Sequence, residues 1–208
     1  MATVVHNHVR DLRVAASIAA ASLLLLTGAT HAQDNGLPER PSGELALSND
    51  TLQLRYVGSG DLVGADASQF TGAFFLSEER DIVLSAALLF PVDARIGRLT
   101  VLVGPQVYAA LLDEENNDVM AGSVGADVRF LLNRQLGLAV AGHAFYAPDI
   151  LTFGSADNLT DLGARVELAV APRVTVFGGM RWFEFDLTEG GGERTLQEEV
   201  FVGFGYGL

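Results

Sequence analysis

Apolar and polar residues alternate with a period of two through most of the chain beyond residue 50. Leu52, Leu54 and Tyr56 alternate with Gln53 and Arg55. Ile82, Leu84, Ala86, Leu88 and Phe90 alternate with Asp81, Val83, Ser85, Ala87 and Leu89. Successive side chains of a β-strand point to opposite faces, so each set occupies one face. Leu99, Val101, Val103, Val107, Ala109 and Leu111 oppose Thr100, Leu102, Gly104, Gln106 and Tyr108, and Pro105 marks a bulge or a local kink. Met120, Val124, Ala126, Val128, Phe130 and Leu132 oppose Ser123, Gly125, Asp127 and Arg129. Leu136, Leu138, Val140, Ala144 and Tyr146 oppose Gly137, Ala139, Ala141, His143 and Phe145. Leu162, Ala164, Val166, Leu168 and Val170 oppose Asp161, Gly163, Arg165, Glu167 and Ala169. Val174, Val176, Met180 and Trp182 oppose Thr175, Phe177, Gly179 and Arg181. The pattern slips near Phe183, where Glu184 and Asp186 take the polar places; a bulge or a membrane boundary accounts for the slip. In the last strand Val200, Val202, Phe204, Tyr206 and Leu208 face one way, and Gly203, Gly205 and Gly207 the other.

Strands with one strongly apolar face and one face of small and charged residues suit a wall between lipid and a crowded lumen. The fold class read from this pattern is all-β, a transmembrane antiparallel up-and-down β-barrel. Nine segments follow residue 50, and residues 43–48, with Leu45 and Leu47 on one face, supply a tenth strand. Single-chain bacterial barrels have an even number of strands, so ten is expected and eight is the alternative. Connections at Asn133-Arg134, 171–173 and 91–97 are short, whereas 112–118, 147–158 and 188–197 are longer or acidic. Short turns on the periplasmic rim and longer loops outside place the acidic connections on the exterior. A soluble periplasmic β-sandwich or a lipocalin-like binder is the rival fold, since it also alternates.

Residues 1–32 read as a cleavable signal peptide. Arg10 and Arg13 form a basic start, Val14 to Ala29 an apolar run, and Thr30-His31-Ala32 a small-residue cleavage site. The rival is a membrane anchor, but the run is shorter than the roughly 20 residues a spanning helix needs. Residues 33–42 are a polar, proline-bearing lead-in, and 43–208 would be the barrel. The location expected is the cell outer membrane of a Gram-negative bacterium. The chain has a formal net charge of −13 and no cysteine. Loss of residues 1–32, with two arginines and one aspartate, would leave it more acidic still. That charge argues against nucleic acid as a partner. The partners expected are outer-membrane lipid and lipopolysaccharide, together with the barrel assembly machinery.

Phe145-Tyr146-Ala147-Pro148-Asp149-Ile150-Leu151-Thr152-Phe153-Gly154-Ser155-Ala156-Asp157 resembles the YfaZ family of outer-membrane proteins. In that family an aromatic strand end precedes a Pro-Asp/Glu loop and an aromatic-small-Asp stretch. The Gly178-Gly179-Met180-Arg181-Trp182 strand and the glycine-aromatic terminus fit as well. The resemblance implies an outer-membrane barrel and brings no established activity or functional residues. Leu208 departs from the Phe or Trp that usually ends such barrels.

Arg55, Asp81, Asp127, Arg129, Asp161, Arg165, Glu167 and Arg181 fall on the inferred lumen face. In a narrow barrel such charges either neutralise one another in a salt-bridge core or line a polar conduit. His143 is the only histidine beyond residue 32. With Ser85 or Ser123 it is a conceivable hydrolase pair, but no local motif supports one, and a hydrogen-bonding spacer is the simpler role. One histidine without cysteine gives no basis for zinc. Asp113, Glu114, Glu115 and Asp118 form an acidic external loop, which reads as solvated; calcium or lipopolysaccharide bridging is the alternative. Residues 190–192 are glycine-rich but precede no lysine and no helix, so they are not a phosphate loop. Tyr56, Phe90, Tyr146, Trp182 and Tyr206 lie near strand ends, where aromatic girdles meet the membrane interfaces. The reading is a small non-enzymatic barrel with a charged, closed lumen and a structural or surface-interaction role. A narrow porin-like channel for small solutes or ions is the alternative. No cofactor is expected.

Overall fold

The computed structural model describes residues 41–92, 97–112, 118–187 and 193–208. The expected signal peptide, almost all of the lead-in, and Asp113, Glu114 and Glu115 lie outside the described residues.

The strands are β1 (Ser42–Leu47), β2 (Thr51–Ser59), β3 (Gln69–Ser77), β4 (Ile82–Val92), β5 (Leu99–Leu111), β6 (Val119–Asn133), β7 (Leu138–Ala147), β8 (Thr152–Gly154), β9 (Ala156–Ala171), β10 (Val174–Leu187) and β11 (Glu193–Gly207). Each wall strand pairs antiparallel with its neighbours in sequence. β1 then pairs with β11, Ser42 opposite Gly207 and Leu47 opposite Val202, and the sheet closes. Ten strands make the wall. Closure removes the unpaired edges that a free sheet would carry. The three-residue β8 continues the wall beside β6 at Val119–Ala121, above the point where β7 ends.

The outer surface is apolar around the whole circumference. Val107, Met120, Val124, Val166, Val200 and Val202 are all more than half exposed. A belt of that extent would aggregate in water and is stable against acyl chains. Tyr56, Phe90 and Tyr206 lie toward one end of the wall and Tyr146 and Trp182 toward the other, and Tyr56 lies over Gly58 and packs against Phe70.

Three local readings of the sequence are resolved: the ladder is interrupted at Pro105 without a bulge, the bulge expected near Phe183 is present on the paired strand, and two loops are shorter than expected. Pro105 carries no bulge: Ala87 pairs with Gln106 and Phe90 with Val103, with the same number of residues between them on both strands. Proline offers no ladder N–H, and a Cβ on Gly104 would lie 2.1 Å from the Leu88 carbonyl oxygen, so the strands approach closely there. At Phe183 the alternation of β10 does not slip. Arg181, Phe183 and Phe185 are all buried on the inward face, while Trp182 is exposed on the outward one. The extra residue lies in β11, where Phe183 pairs with Gln197 but Glu184 with Thr195, leaving Leu196 as the bulge. Finally, 156–158 and 193–197 are strand, not loop. Here the strands rise beyond the apolar belt and lose the contrast by which they are recognised.

Connections 48–50 and 78–81, the strand ends Leu111, Val119, Leu187 and Glu193, and the segment holding β8 lie at one end, here termed the loop end. Connections 60–68, 134–137 and 172–173 and the strand ends Val92 and Leu99 lie at the other with Pro41 and Leu208, whose N–H donates to the Pro41 carbonyl at 2.8 Å. Gly137, at a φ of 59°, closes the turn between β6 and β7, and Asn133 Oδ1 accepts the N–H groups of Gln135 and Leu136 within it.

Candidate functional site, a charged cup beside an aromatic cluster

The lumen divides into two chemically different halves. In the loop-end half, inward side chains from eight wall strands meet in one apolar cluster. It includes Phe75, Val83, Tyr108, Val119, Leu159, Phe183, Phe185 and Leu196, all buried. Phe183 is the hub: its ring lies 5.8 Å from Phe75, 5.7 Å from Tyr108 and 5.6 Å from Phe185. A ten-strand wall leaves little more than side-chain space inside, and four aromatic rings fill it. The bulge at Leu196 adds one more apolar side chain at that level. The alternation does not reveal this plug, because the apolar pattern slips near Phe183, where Glu184 and Asp186 take the polar places.

In the terminal-end half lies a cavity of about 780 Å3, reaching from Pro172 and Arg173 at the rim to Asp161 and Arg181 at its floor. None of the plug residues lines it. Small inward residues make its space. Ala139 and Ala141 on β7 and Gly163, Gly179, Gly203 and Gly205 on the last three strands replace side chains that would otherwise meet across the axis. Gly163 also admits His143, whose ring would lie 2.3 Å from a Cβ there.

The expected lumen charges resolve into separate clusters rather than one network. At the floor, Arg181 donates two hydrogen bonds to Asp161, both 2.8 Å. Tyr108 donates to the same carboxylate at 3.0 Å, and His143 Nε2 lies 3.1 Å from its other oxygen. The Arg181 guanidinium also stacks on Phe183 at 4.4 Å and on Phe75 at 5.5 Å, so it joins the floor to the plug. Its Nη1 has no hydrogen-bond partner and is covered by protein, an arrangement that cation–π contact makes tolerable.

Higher in the cup, Arg165 grips Glu44 with both terminal nitrogens, at 2.8 and 3.1 Å. It also pairs with Glu167, which accepts from Arg129 at 2.7 Å, and it lies 4.6 Å above the Phe177 ring. Arg55 reaches Asp127 at 3.0 Å. Asp81 stands apart at the loop end, where Arg194 bridges it to Glu79. Asp118 precedes β6 at that same end and is exposed. Ser85 and Ser123 do not combine with His143: Ser123 Oγ donates to the Gln106 carbonyl, and the imidazole is spent on Asp161. No group of histidine and acidic residues among the described residues has metal-site geometry.

Glu44, Tyr108 and Arg194 were missed as partners. Glu44 was legible, since Leu45 and Leu47 facing lipid put it inward. Arg194 was assigned to a loop, and Tyr108 was read only as a strand residue. All 13 basic residues of the chain are arginines. The planar guanidinium makes paired bonds to one carboxylate, as at Asp161 and Glu44, which an ammonium cannot.

No curated protein matches the chain. Solved structures similar to it include a bacterial polysaccharide outer membrane secretin, with a TM-score of 0.48 and 13% identity over 83% of this chain and 66% of that one. This chain therefore spans just under two thirds of the secretin chain. Another is the KdgM porin, with a TM-score of 0.43 and 9% identity over 81% of this chain and 98% of that one. The same porin in complex with disordered oligogalacturonate matches with a TM-score of 0.43, 8% identity and the same coverage. A family model described as YfaZ precursor matches residues 48–207, the greater part of the chain, and the protein belongs to the YfaZ family.

Proposed function

We propose that this chain is a small, non-catalytic barrel of the outer membrane whose lumen is sealed, with a structural or surface-interaction role. The observation that carries the reading is the aromatic plug: Phe75, Phe183 and Phe185 are buried within an apolar cluster spanning eight wall strands. Ions do not cross so densely packed an apolar layer, because desolvation inside it is far too costly. The exposed apolar belt supports a wall set in lipid, and the longer connections are assigned to the outside. In that orientation Glu78, Glu79, Asp118 and Glu198, all exposed, face the exterior, and lipopolysaccharide is the partner we assign to them. The barrel assembly machinery would insert the chain.

A narrow channel for small solutes is the second reading, favoured by the 780 Å3 cavity but opposed by the plug that ends it. The test is solute exclusion. Proteoliposomes carrying the heat-modifiable folded barrel should swell in small sugars no faster than empty liposomes. Swelling at a porin-like rate would reverse the choice. Recovery of the mature chain as a soluble periplasmic monomer would reject the membrane reading altogether.

A further inference from the structure

The charges of the cup do not cancel at every donor. Each of the four carboxylates lining it already accepts from an arginine. Five arginines line the same space, so the donors exceed the acceptors. Arg129 commits only its Nε, to Glu167, and its side chain is 48% exposed inside the cup. Arg173, at the mouth, has an exposed side chain with no charged partner among the described residues.

The surface is polarised to match. The turns at the terminal end present Arg98, Arg134 and Arg173, all exposed. Of the exposed acids described, Asp50, Glu78, Glu79, Asp118, Asp149 and Glu198 lie at the loop end, and Asp61 and Asp66 at the terminal end. In a chain with a net charge of −13, these three arginines outnumber the two exposed acids described at that end, Asp61 and Asp66, and the mouth opens onto the spare guanidinium donors. Low-dielectric walls focus such a field into the cleft.

We propose that the cup is a binding site for a small anion bearing carboxylate or phosphate groups, entering at the terminal end and held by Arg129 and Arg173. The geometry of the guanidinium fork suits both groups. The volume falls within the roughly 300–1,000 Å3 of small-molecule sites. The sealed floor makes the cup a receptor and not a conduit, and binding measured in detergent does not depend on which membrane face the mouth occupies. The same chemistry is offered by lipid phosphates, which would meet the rim arginines without entering the cup.

The experiment is calorimetric titration of the full-length barrel, folded in a phosphate-free non-ionic detergent, with inorganic phosphate and with succinate. Saturable binding is expected. Arg129→Gln should weaken it by about tenfold, the loss of one charge-assisted pair. Glu167 keeps Arg165 in that variant, and heat-modifiable migration verifies its fold. Arg134→Gln, on the rim, should change affinity less than Arg129→Gln. A parallel titration with phosphatidylglycerol micelles separates the lipid source. Response to the lipid alone, weakened by Arg134→Gln and not by Arg129→Gln, would overturn the cup as the site. So would the absence of any response, or equal affinity of Arg129→Gln and the unmutated protein for phosphate.

Discussion

Arg55 on β2 donates to Asp127 on β6 at 3.0 Å, across a lumen in which the two strands are separated by three others on the shorter path. Arg165 to Glu44 and Tyr108 to Asp161 make comparable transverse ties. Such pairs add little net stability against an apolar alternative, but removing one partner strands the other. The cost should follow burial. Arg181→Met, at the nearly water-free floor, should cost on the order of 3–5 kcal/mol. Arg55→Met, whose pair is partly solvated by the cup, should cost less than half of that. Urea unfolding of the two variants in the same lipid measures the difference, and equal losses would contradict the division into floor and cup.

Arg165 carries the tie between β9 and β1, the shortest wall strand. Arg165→Met leaves Glu44 without its arginine at the seam where β1 meets β11. The unfolding midpoint should fall, yet planar-bilayer conductance should stay at baseline, since the plug lies elsewhere. A large new conductance would show that the charges, and not the aromatic rings, close the lumen.

Gly163 sits beneath the His143 ring, which leaves no room for a methyl group. Gly163→Ala should displace the imidazole from Asp161 at a cost of about 1–3 kcal/mol. The histidine ring signals should shift in NMR spectra of the detergent-folded barrel. Unchanged signals and unchanged stability would mean that the glycine serves no such role.

The absence of cysteine makes topology straightforward to probe. Glu78→Cys lies on an exposed turn at the loop end and Gln135→Cys on one at the terminal end. An impermeant thiol reagent should label the first in intact cells and the second only after the outer membrane is opened. Equal or reversed labelling would reject the orientation proposed for the acidic loops.

The wall was legible in the sequence because lipid imposes one chemistry on alternate residues. Val124, Val128 and Phe130, or Leu162, Val166 and Leu168, mark one apolar face of a strand, and Leu45 with Leu47 identified β1. Arg55, Asp127, Arg129, Asp161, Arg165, Glu167 and Arg181 line the cup while Asp81 is buried at the loop end, and period-two alternation is what gives a side chain its direction. Their partners were harder to read. Glu44 and Arg165 are far apart in sequence, and which arginine meets which acid depends on the shear of the closed wall. The plug escaped because Phe183 and Phe185 face inward just where Glu184 and Asp186 rise above the lipid, so the polar face and the buried face exchange chemistry. The extent of β9 and β11 was obscured for the same reason.

The most direct test is electrical. The unmutated barrel in a planar bilayer should show no steady conductance. Phe183→Ala, which removes the ring between Phe75, Tyr108 and Phe185, should join the cup to the loop end and produce discrete openings, with Phe183→Leu remaining silent. Steady conductance in the unmutated protein, unaltered by Phe183→Ala, would contradict a lumen sealed by its aromatic plug.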